Sequence, residues 1–224
     1  KEEYTSVPNH PYWKNAEVPT RQTRELFYLA SITAMDEAIG AVLRELDRFQ
    51  LTENTFVLFF SDNGGAGPAD NSPLRGHKGQ LFEGGIRVCA LVRYPNRIPA
   101  GTVCDEFLSG LEVFPTFAQL ADATIPPDLK LDGFDMLPVL QGQKNSPRER
   151  MFWQRQDWKA ARVGTWKWIQ NRGGEFLFDL ATDVGETKNL IEELPTKAQE
   201  LREAFQQWQA EMEAAEPRGP FRDF

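Results

Sequence analysis

The first informative feature of the chain is an apolar run that stops abruptly at polar and glycine residues. Residues 56–60 are all apolar, and a serine, an aspartate, an asparagine and two glycines follow. Such a run predicts a strand that is covered on both faces, as in a parallel sheet with helices above and below it. Residues 86–92 predict a second strand, and a third short strand is expected at 102–108.

Helical periodicity is present in three segments. Apolar side chains recur at helical spacing across residues 25–49, which predicts an amphipathic helix whose apolar stripe packs in the core. Residues 112–121 predict a shorter helix with Pro115 in its first turn, where the missing amide hydrogen is tolerated. Residues 1–20 are rich in proline and polar residues and predict a loop. A last helix is expected at 196–215, and its apolar face comprises Leu201, Phe205, Trp208 and Met212.

The C-terminal part of the chain shows a different pattern, in which short strand-like units alternate with glycine turns. This pattern predicts an antiparallel meander whose strands are residues 151–154, 160–163, 166–170 and 175–179. Trp166 and Trp168 lie at period-two positions and therefore face the same way, so we interpret them as core residues rather than a sugar-stacking platform. The polar residues 141–147 mark a candidate boundary, which predicts domains at 1–145 and 146–224.

Composition and charge narrow the class of protein. The chain has 224 residues, of which 41% are hydrophobic, so it contains enough apolar material for a folded core. Its net charge of −8 argues against a nucleic-acid partner, because phosphate backbones require clustered basic residues. No stretch of about 18 apolar residues is present, so no membrane partner is expected. Cys89 is expected to be a small buried residue, and a bridge to Cys104 stays possible.

Candidate chemistry is concentrated directly after the first predicted strand. Asp62 and Asn63 stand at its carboxyl end, where ligands collect in parallel sheets. A carboxylate and an amide oxygen suit Ca²⁺ or Mg²⁺ better than softer metals. Arg75 and Lys78 follow on a glycine-rich loop, and together with a cation they would hold a tetrahedral oxyanion such as a sulfate or phosphate ester. Taken alone, residues 62–65 are more typical of a simple turn.

The two motifs together resemble those of the sulfatase family. The second motif, residues 76–87, has the family pattern Gly-x-Lys-Gly-x-x-x-Glu-Gly-Gly-x-Arg. The resemblance implies that Asp62 and Asn63 ligate a divalent cation, usually calcium, and that Lys78 contacts the sulfate group as a catalytic and substrate-binding residue. Arg75, Glu83 and Arg87 match the same motif, and we interpret these three residues and Glu112 as structural.

The same resemblance implies an α/β fold. We expect the C-terminal part of a sulfatase-type sheet flanked by helices, followed by a small antiparallel-sheet subdomain with a C-terminal helix. In the family the nucleophile is a formylglycine made within Cys/Ser-x-Pro-x-Arg, and neither this pattern nor an Asp-Asp pair occurs in these residues. We therefore expect a missing N-terminal half to supply the formylglycine as a partner, and the isolated chain to be inactive or nearly so. A periplasmic or secreted location is implied by the family.

The resemblance implies hydrolysis of a sulfate ester, with a sulfated carbohydrate as the first candidate substrate and an aryl sulfate as the second. His77 lies beside Lys78, and we interpret it as an incidental or substrate-lining residue rather than a general acid. Two alternatives stay open. One is a phosphate monoester or diester hydrolase of the alkaline-phosphatase-like superfamily, although the two histidines do not form a ligand pair. The other is a non-catalytic module derived from a sulfatase.

Overall fold

A computed structural model describes residues 20–215 of the chain. The predicted loop at 1–20 therefore lies outside the described residues, apart from Thr20. The side-chain oxygen of Thr20 accepts a hydrogen bond from the amide of Thr23 at 3.2 Å and caps the first helix. This helix, α1, spans Arg21–Arg48 and confirms the prediction for residues 25–49.

The apolar stripe of α1 is largely exposed, which contradicts its prediction as core. None of the described α1 side chains is buried, and Leu29 and Val42 are 51% and 62% exposed. The residues that the structure describes leave this stripe uncovered, and periodicity alone cannot show whether a partner layer is present. Residues Gln22–Arg48 are also long and apolar enough to cross a membrane by length and composition, a measure that core helices of soluble proteins meet as well.

Strand β1, Val57–Phe60, pairs antiparallel with strand β2, Ala90–Arg93. The expectation of a strand buried in a parallel sheet is therefore wrong for the described residues, since the glycine-rich segment between the strands reverses the chain direction. Both strands are partly exposed, and Leu91 is 67% exposed. The second strand begins later than predicted because Glu83–Ile86 forms a helical turn, α2. No strand forms at 102–108, where the first five side chains are exposed.

A 3₁₀ turn at Gly110–Glu112 leads into helix α3, Val113–Leu120, which confirms the helix predicted at 112–121. Ser109 and Glu112 form a capping box, in which the Glu112 carboxylate accepts from the Ser109 amide at 2.6 Å. The other carboxylate oxygen of Glu112 accepts from Nε of Arg148 at 2.9 Å, and both side chains are buried. A short helix, α4, spans Leu137–Leu140.

The C-terminal part forms a four-stranded antiparallel sheet followed by a helix, as predicted. The strands pair in chain order, and helix α5 spans Pro195–Ala214. The predicted boundary at 141–147 precedes the first of these strands and stays a prediction. The strands are β3 (Arg150–Arg155), β4 (Trp158–Val163), β5 (Trp166–Asn171) and β6 (Gly174–Asp179).

Alternate residues of this sheet pack against different parts of the molecule. One face packs against the glycine-rich segment through Leu81, Phe82, Ala160, Ile169, Phe178 and Leu180. The other face packs against α5 through Ala161, Trp168, Leu177, Ala198, Leu201 and Phe205. Trp166 also packs against this second cluster, which confirms that the two tryptophans of β5 are core residues. Of the predicted apolar face of α5, Met212 is 46% exposed.

Candidate functional site

Main-chain hydrogen bonds join the two motifs. The amide of Gly64 donates to the carbonyl oxygen of Gly85 at 3.0 Å, and the amide of Lys78 donates to the carbonyl oxygen of Gly65 at 3.0 Å. The main chain of Asn63 is held by a further hydrogen bond, in which its carbonyl oxygen accepts from the Ser61 hydroxyl at 2.8 Å. The structure therefore brings the segment that carries the candidate cation ligands next to the segment that carries the candidate anion-binding lysine.

Three glycines allow close main-chain packing at this junction. Gly64 packs against the other segment, whereas Gly84 and Gly85 pack against main-chain atoms of their own segment. A Cβ atom added at Gly64 would lie 2.7 Å from the carbonyl carbon of Gly84, and closer still to its oxygen. A Cβ at Gly84 would lie 2.6 Å from the carbonyl oxygen of Arg75, and one at Gly85 would lie 2.7 Å from that of His77. Since these neighbours are main-chain atoms, no rotamer change could relieve the overlap. Glycine is therefore required here by packing.

Asn71 fixes the geometry of this junction, and the sequence analysis did not identify it. Its side-chain oxygen accepts from the amide of Gly65 at 3.0 Å. Its side-chain nitrogen donates to the carbonyl oxygens of Gly65 and Gly76 at 3.0 and 3.1 Å. All of the hydrogen-bonding groups of this side chain are thus used within the loop. The only sequence signal was an asparagine between proline and glycine residues, which is typical of any turn.

Asp62 and Asn63 are accessible at this junction, since Asp62 is exposed and Asn63 is half-buried. Their carboxylate and amide oxygens have the chemistry that a calcium ion prefers, so this donor set fits such an ion. Calcium takes roughly six to eight oxygen ligands, so two side chains do not complete a site. Within residues 20–215, no cluster of three or more histidine, cysteine or acidic side chains is placed to bind a metal. The metal assignment stays a prediction.

His77 and Lys78 are both exposed on the loop between Gly76 and Gly79, whose φ angles are +86° and +92°. Nδ1 of His77 lies 3.0 Å from the carbonyl oxygen of Lys78. Because a carbonyl oxygen only accepts, Nδ1 carries the hydrogen in this contact and Nε2 is the acceptor when the ring is neutral. The imidazole is therefore held in a defined orientation beside the candidate anion-binding lysine.

A polar cleft of about 410 Å³ opens beside this loop. Its lining includes the side chains of Asp70, Ser72 and His77. The Asp70 carboxylate accepts from the amide of Ser72 at 2.8 Å, and hydrogen bonding to Ser72 lowers the pKa of Asp70. An ionised carboxylate, a hydroxyl and an imidazole acceptor are groups that bind hydroxyl-bearing ligands.

Glu83 in the second motif and Arg75 directly before it make contacts with the C-terminal part of the chain. Glu83 is buried, and its carboxylate lies 2.7 Å from the ammonium of Lys167 on β5. The Arg75 guanidinium donates to the carbonyl oxygen of Glu186 at 3.0 Å and lies 4.1 Å from the centre of the Phe82 ring. These contacts agree with structural roles. No sequence pattern distinguishes Lys167 or Glu186 as a partner of these residues.

The two cysteines are free and exposed in the structure. The expectation that Cys89 is a buried core residue is therefore wrong, because this residue precedes β2 rather than lying inside a covered strand. No bridge to Cys104 is formed, although the sequence analysis had left that open.

Comparison with known proteins gives a consistent result along the whole described chain. Residues 5–123 match the family model Sulfatase, and residues 77–214 match the model N-sulphoglucosamine sulphohydrolase, C-terminal. Human arylsulfatase A is 31% identical over 227 aligned positions, which cover 85% of this chain and 44% of that protein. Mouse steryl-sulfatase is 40% identical over 136 positions, or 56% of this chain and 22% of that protein.

Solved structures that resemble this chain include a carbohydrate complex. A crystal structure of Ps i-CgsB in complex with k-i-k-neocarrahexaose superimposes with a TM-score of 0.77 and 27% sequence identity. The superposition covers 93% of this chain and 46% of that one. The chain therefore spans less than half the length of the relatives it matches here.

Proposed function

Because the chain belongs to the sulfatase family, we propose that it supplies the sulfate-binding part of an enzyme that hydrolyses sulfuric esters. The observation that supports this proposal best is the hydrogen bond from the Lys78 amide to the Gly65 carbonyl oxygen, at 3.0 Å. It holds the main chain of Lys78 beside the segment that carries two hard oxygen ligands. An ammonium next to such ligands is the arrangement that an anionic ester requires.

Asp62 and Asn63 are the residues that would hold a divalent cation, Ca²⁺ or alternatively Mg²⁺. When bound, such an ion supplies positive charge to the sulfate oxygens. The remaining ligands come from other parts of the enzyme, since these two side chains fill only part of a coordination sphere of roughly six to eight oxygens.

Lys78 binds the sulfate group and shares the negative charge that develops on its oxygens during hydrolysis. The flanking glycines and the bond to Gly65 fix the main chain from which this side chain extends. His77 lines the adjoining cleft and offers Nε2 to the alcohol part of the ester, because Nδ1 is already engaged with the Lys78 carbonyl.

The nucleophile of the proposed reaction is a formylglycine from an N-terminal half that acts as a partner of this chain. Its hydrated aldehyde would supply the hydroxyl oxygen that bonds to sulfur while the bond from sulfur to the alcohol oxygen breaks, and the alcohol would leave with a proton. Exposed apolar side chains, including Leu29 and Val42 on α1 and Leu91 on β2, offer a surface for this partner. In this proposal the isolated chain is inactive or nearly so, and the enzyme is periplasmic or secreted.

A sulfated carbohydrate is the proposed substrate, ahead of an aryl sulfate. The polar cleft supports this choice, because Asp70, Ser72 and His77 provide acceptors and a hydroxyl for sugar hydroxyl groups. The similar protein Ps i-CgsB is described in complex with k-i-k-neocarrahexaose, which also favours a carbohydrate.

The proposal is tested by reading the coding sequence upstream of Lys1 and expressing the extended reading frame. We expect a Cys/Ser-x-Pro-x-Arg pattern and hydrolysis of a sulfated monosaccharide. Lys78→Met should lower kcat/KM by roughly 100-fold or more, since it removes a charge from the transition state. Lys188→Met is the matched control, because Lys188 is an exposed lysine paired with Glu193 at 3.0 Å.

Preferred hydrolysis of a phosphate ester, or full activity in Lys78→Met, would overturn the proposed function. Turnover of an aryl sulfate by the isolated chain would instead overturn the external nucleophile. The two results are separate because the first concerns the sulfate-binding residues of this chain and the second concerns its partner.

A further inference from the structure

Three charged side chains are buried together between the C-terminal sheet and the glycine-rich segment. The ammonium of Lys167 lies 2.7 Å from the carboxylate of Glu83 and 2.8 Å from that of Glu186. None of the three side chains is more than 3% exposed. We call Lys167, Glu83 and Glu186 the buried triad.

The buried triad attaches a loop to a sheet through charged groups rather than through apolar contacts alone. Removing charges from water is costly, and apolar residues of similar volume often stabilise a protein as well or better. The surrounding contacts are in fact apolar, since Phe82 packs on Phe178 and Trp158 in the same layer. The triad therefore contributes directional bonds that fix orientation, which apolar packing in this layer does not supply.

Glu186 accepts hydrogen bonds from both ends of the loop that carries Lys78, with its carboxylate at one end and its main-chain carbonyl oxygen at the other. At one end, a carboxylate oxygen of Glu186 accepts from the Glu83 amide at 2.6 Å. At the other end, the Glu186 carbonyl oxygen accepts from the Arg75 guanidinium at 3.0 Å. Lys78 lies between these two anchored positions.

The sequence next to Glu83 connects the triad to the other motif. Gly84 donates to the Arg75 carbonyl oxygen at 2.7 Å, and the Gly85 carbonyl oxygen accepts from Gly64 at 3.0 Å. A displacement of Glu83 would therefore move the segment that carries Asn63 as well as the segment that carries Lys78.

We infer that Lys167 and Glu186 are positioning residues for Lys78: through the buried triad, the C-terminal sheet sets the place of the anion-binding lysine relative to residues 62–65. This inference rests on the proposed function, because one of its two measurements is the binding of sulfate. It assigns the C-terminal sheet a role in binding the anion that is exerted through the buried triad.

The test uses the full chain and inorganic sulfate as the probe, with binding followed by the NMR shift of the Lys78 amide. Lys167→Met should weaken sulfate binding roughly tenfold or more and speed hydrogen exchange of the Lys78 and Gly85 amides by a similar factor. Phe205→Leu is the matched control, because Phe205 is buried on the opposite face of the same sheet. It should lower the melting temperature without changing either readout.

Equal effects of Lys167→Met and Phe205→Leu on binding and exchange would show that the triad acts only through overall stability, and would overturn the inference. If Lys167→Met does not fold, Glu186→Gln decides, because it keeps the side-chain size while removing one charge of the triad. It is expected to speed exchange at Lys78 and Gly85, and unchanged exchange would overturn the inference. The proposed function is contradicted if sulfate causes no NMR shift in the wild-type chain, or if the shift persists in Lys78→Met. In either case, hydrogen exchange of the Lys78 and Gly85 amides alone decides the positioning role.

Discussion

The amide of Lys78 lies 3.0 Å from the carbonyl oxygen of Gly65 and donates a hydrogen bond to it. This bond connects two motifs that lie side by side in the structure, although they are separate in the sequence. It is supported by the Gly64 to Gly85 bond and by the side chain of Asn71. The junction between the two motifs is thus held by main-chain hydrogen bonds and by the Asn71 side chain.

Gly64→Ala should destabilise the chain by about 1–3 kcal/mol, because the new methyl group would overlap the Gly84 carbonyl group and force the main chain apart. The measurement is the free energy of unfolding in urea. Gly110→Ala is the control, since the nearest atom to its added Cβ would be a Phe60 ring carbon at an ordinary 3.8 Å. Equal losses for the two variants would contradict the packing argument.

Arg148→Met should cost about 3–5 kcal/mol of unfolding free energy, because it leaves the buried carboxylate of Glu112 without its charged partner. Thermal or urea unfolding provides the measurement. Lys188→Met breaks a pair in which both side chains are exposed, and its expected cost is about 0–1 kcal/mol. A loss for Arg148→Met no larger than that of this control would show that Glu112 does not depend on the pair.

Glu186→Gln should change how stability depends on pH. Burial raises the pKa of Glu186 above its ordinary value of 4.5, although the neighbouring Lys167 opposes the shift. A raised folded-state pKa means that this group contributes stability below pH 4.5 and that the contribution is lost as pH rises through the folded-state pKa. Glutamine does not titrate, so the stability of the variant relative to the wild type should increase from pH 4 upward.

Urea unfolding of both chains between pH 4 and pH 7 measures this difference, and the comparison cancels groups that are common to both. The other charged groups of the site, Lys167, Glu83 and the Arg87 that lies 3.7 Å from Glu83, are present in each chain. A difference that stays constant or falls with pH would contradict the direction of the pKa shift.

Cys89 and Cys104 should both react with a thiol reagent in the folded chain, because both thiols are free and exposed. The measurement is the number of thiols that react without denaturant, compared with the number after unfolding. We expect two in each case. A chain in which neither thiol reacts until a reductant is added would show that the two form a bridge.

Local patterns in the sequence predicted the C-terminal sheet and helix well. The period-two units and glycine turns define β3 to β6, and the helical stripe with Leu201 and Phe205 defines the buried face of α5. Both patterns are local, because neighbouring strands follow each other in sequence. What they did not show is that the second face of the sheet is also covered, since Lys167 on that face is typical of an exposed position.

Long-range relationships were predicted less well. The apolar run before Asp62 correctly predicted a strand, but the direction of its partner depends on how the intervening glycine-rich segment folds, and that pairing is antiparallel. Asp62, Asn63 and Lys78 were predicted as site residues from their motifs, and the structure brings those motifs together. Asn71 and Glu186 were missed because their contacts depend on main-chain atoms of other segments, which leave no sequence pattern.

The contact between Gly64 and Gly84 has a consequence for how this region can respond to change. Neither residue has a side chain, so the spacing between the two loops is set by van der Waals contact and hydrogen bonds between main-chain atoms, and no rotamer can adjust it. Any change in this spacing therefore requires movement of the main chain itself.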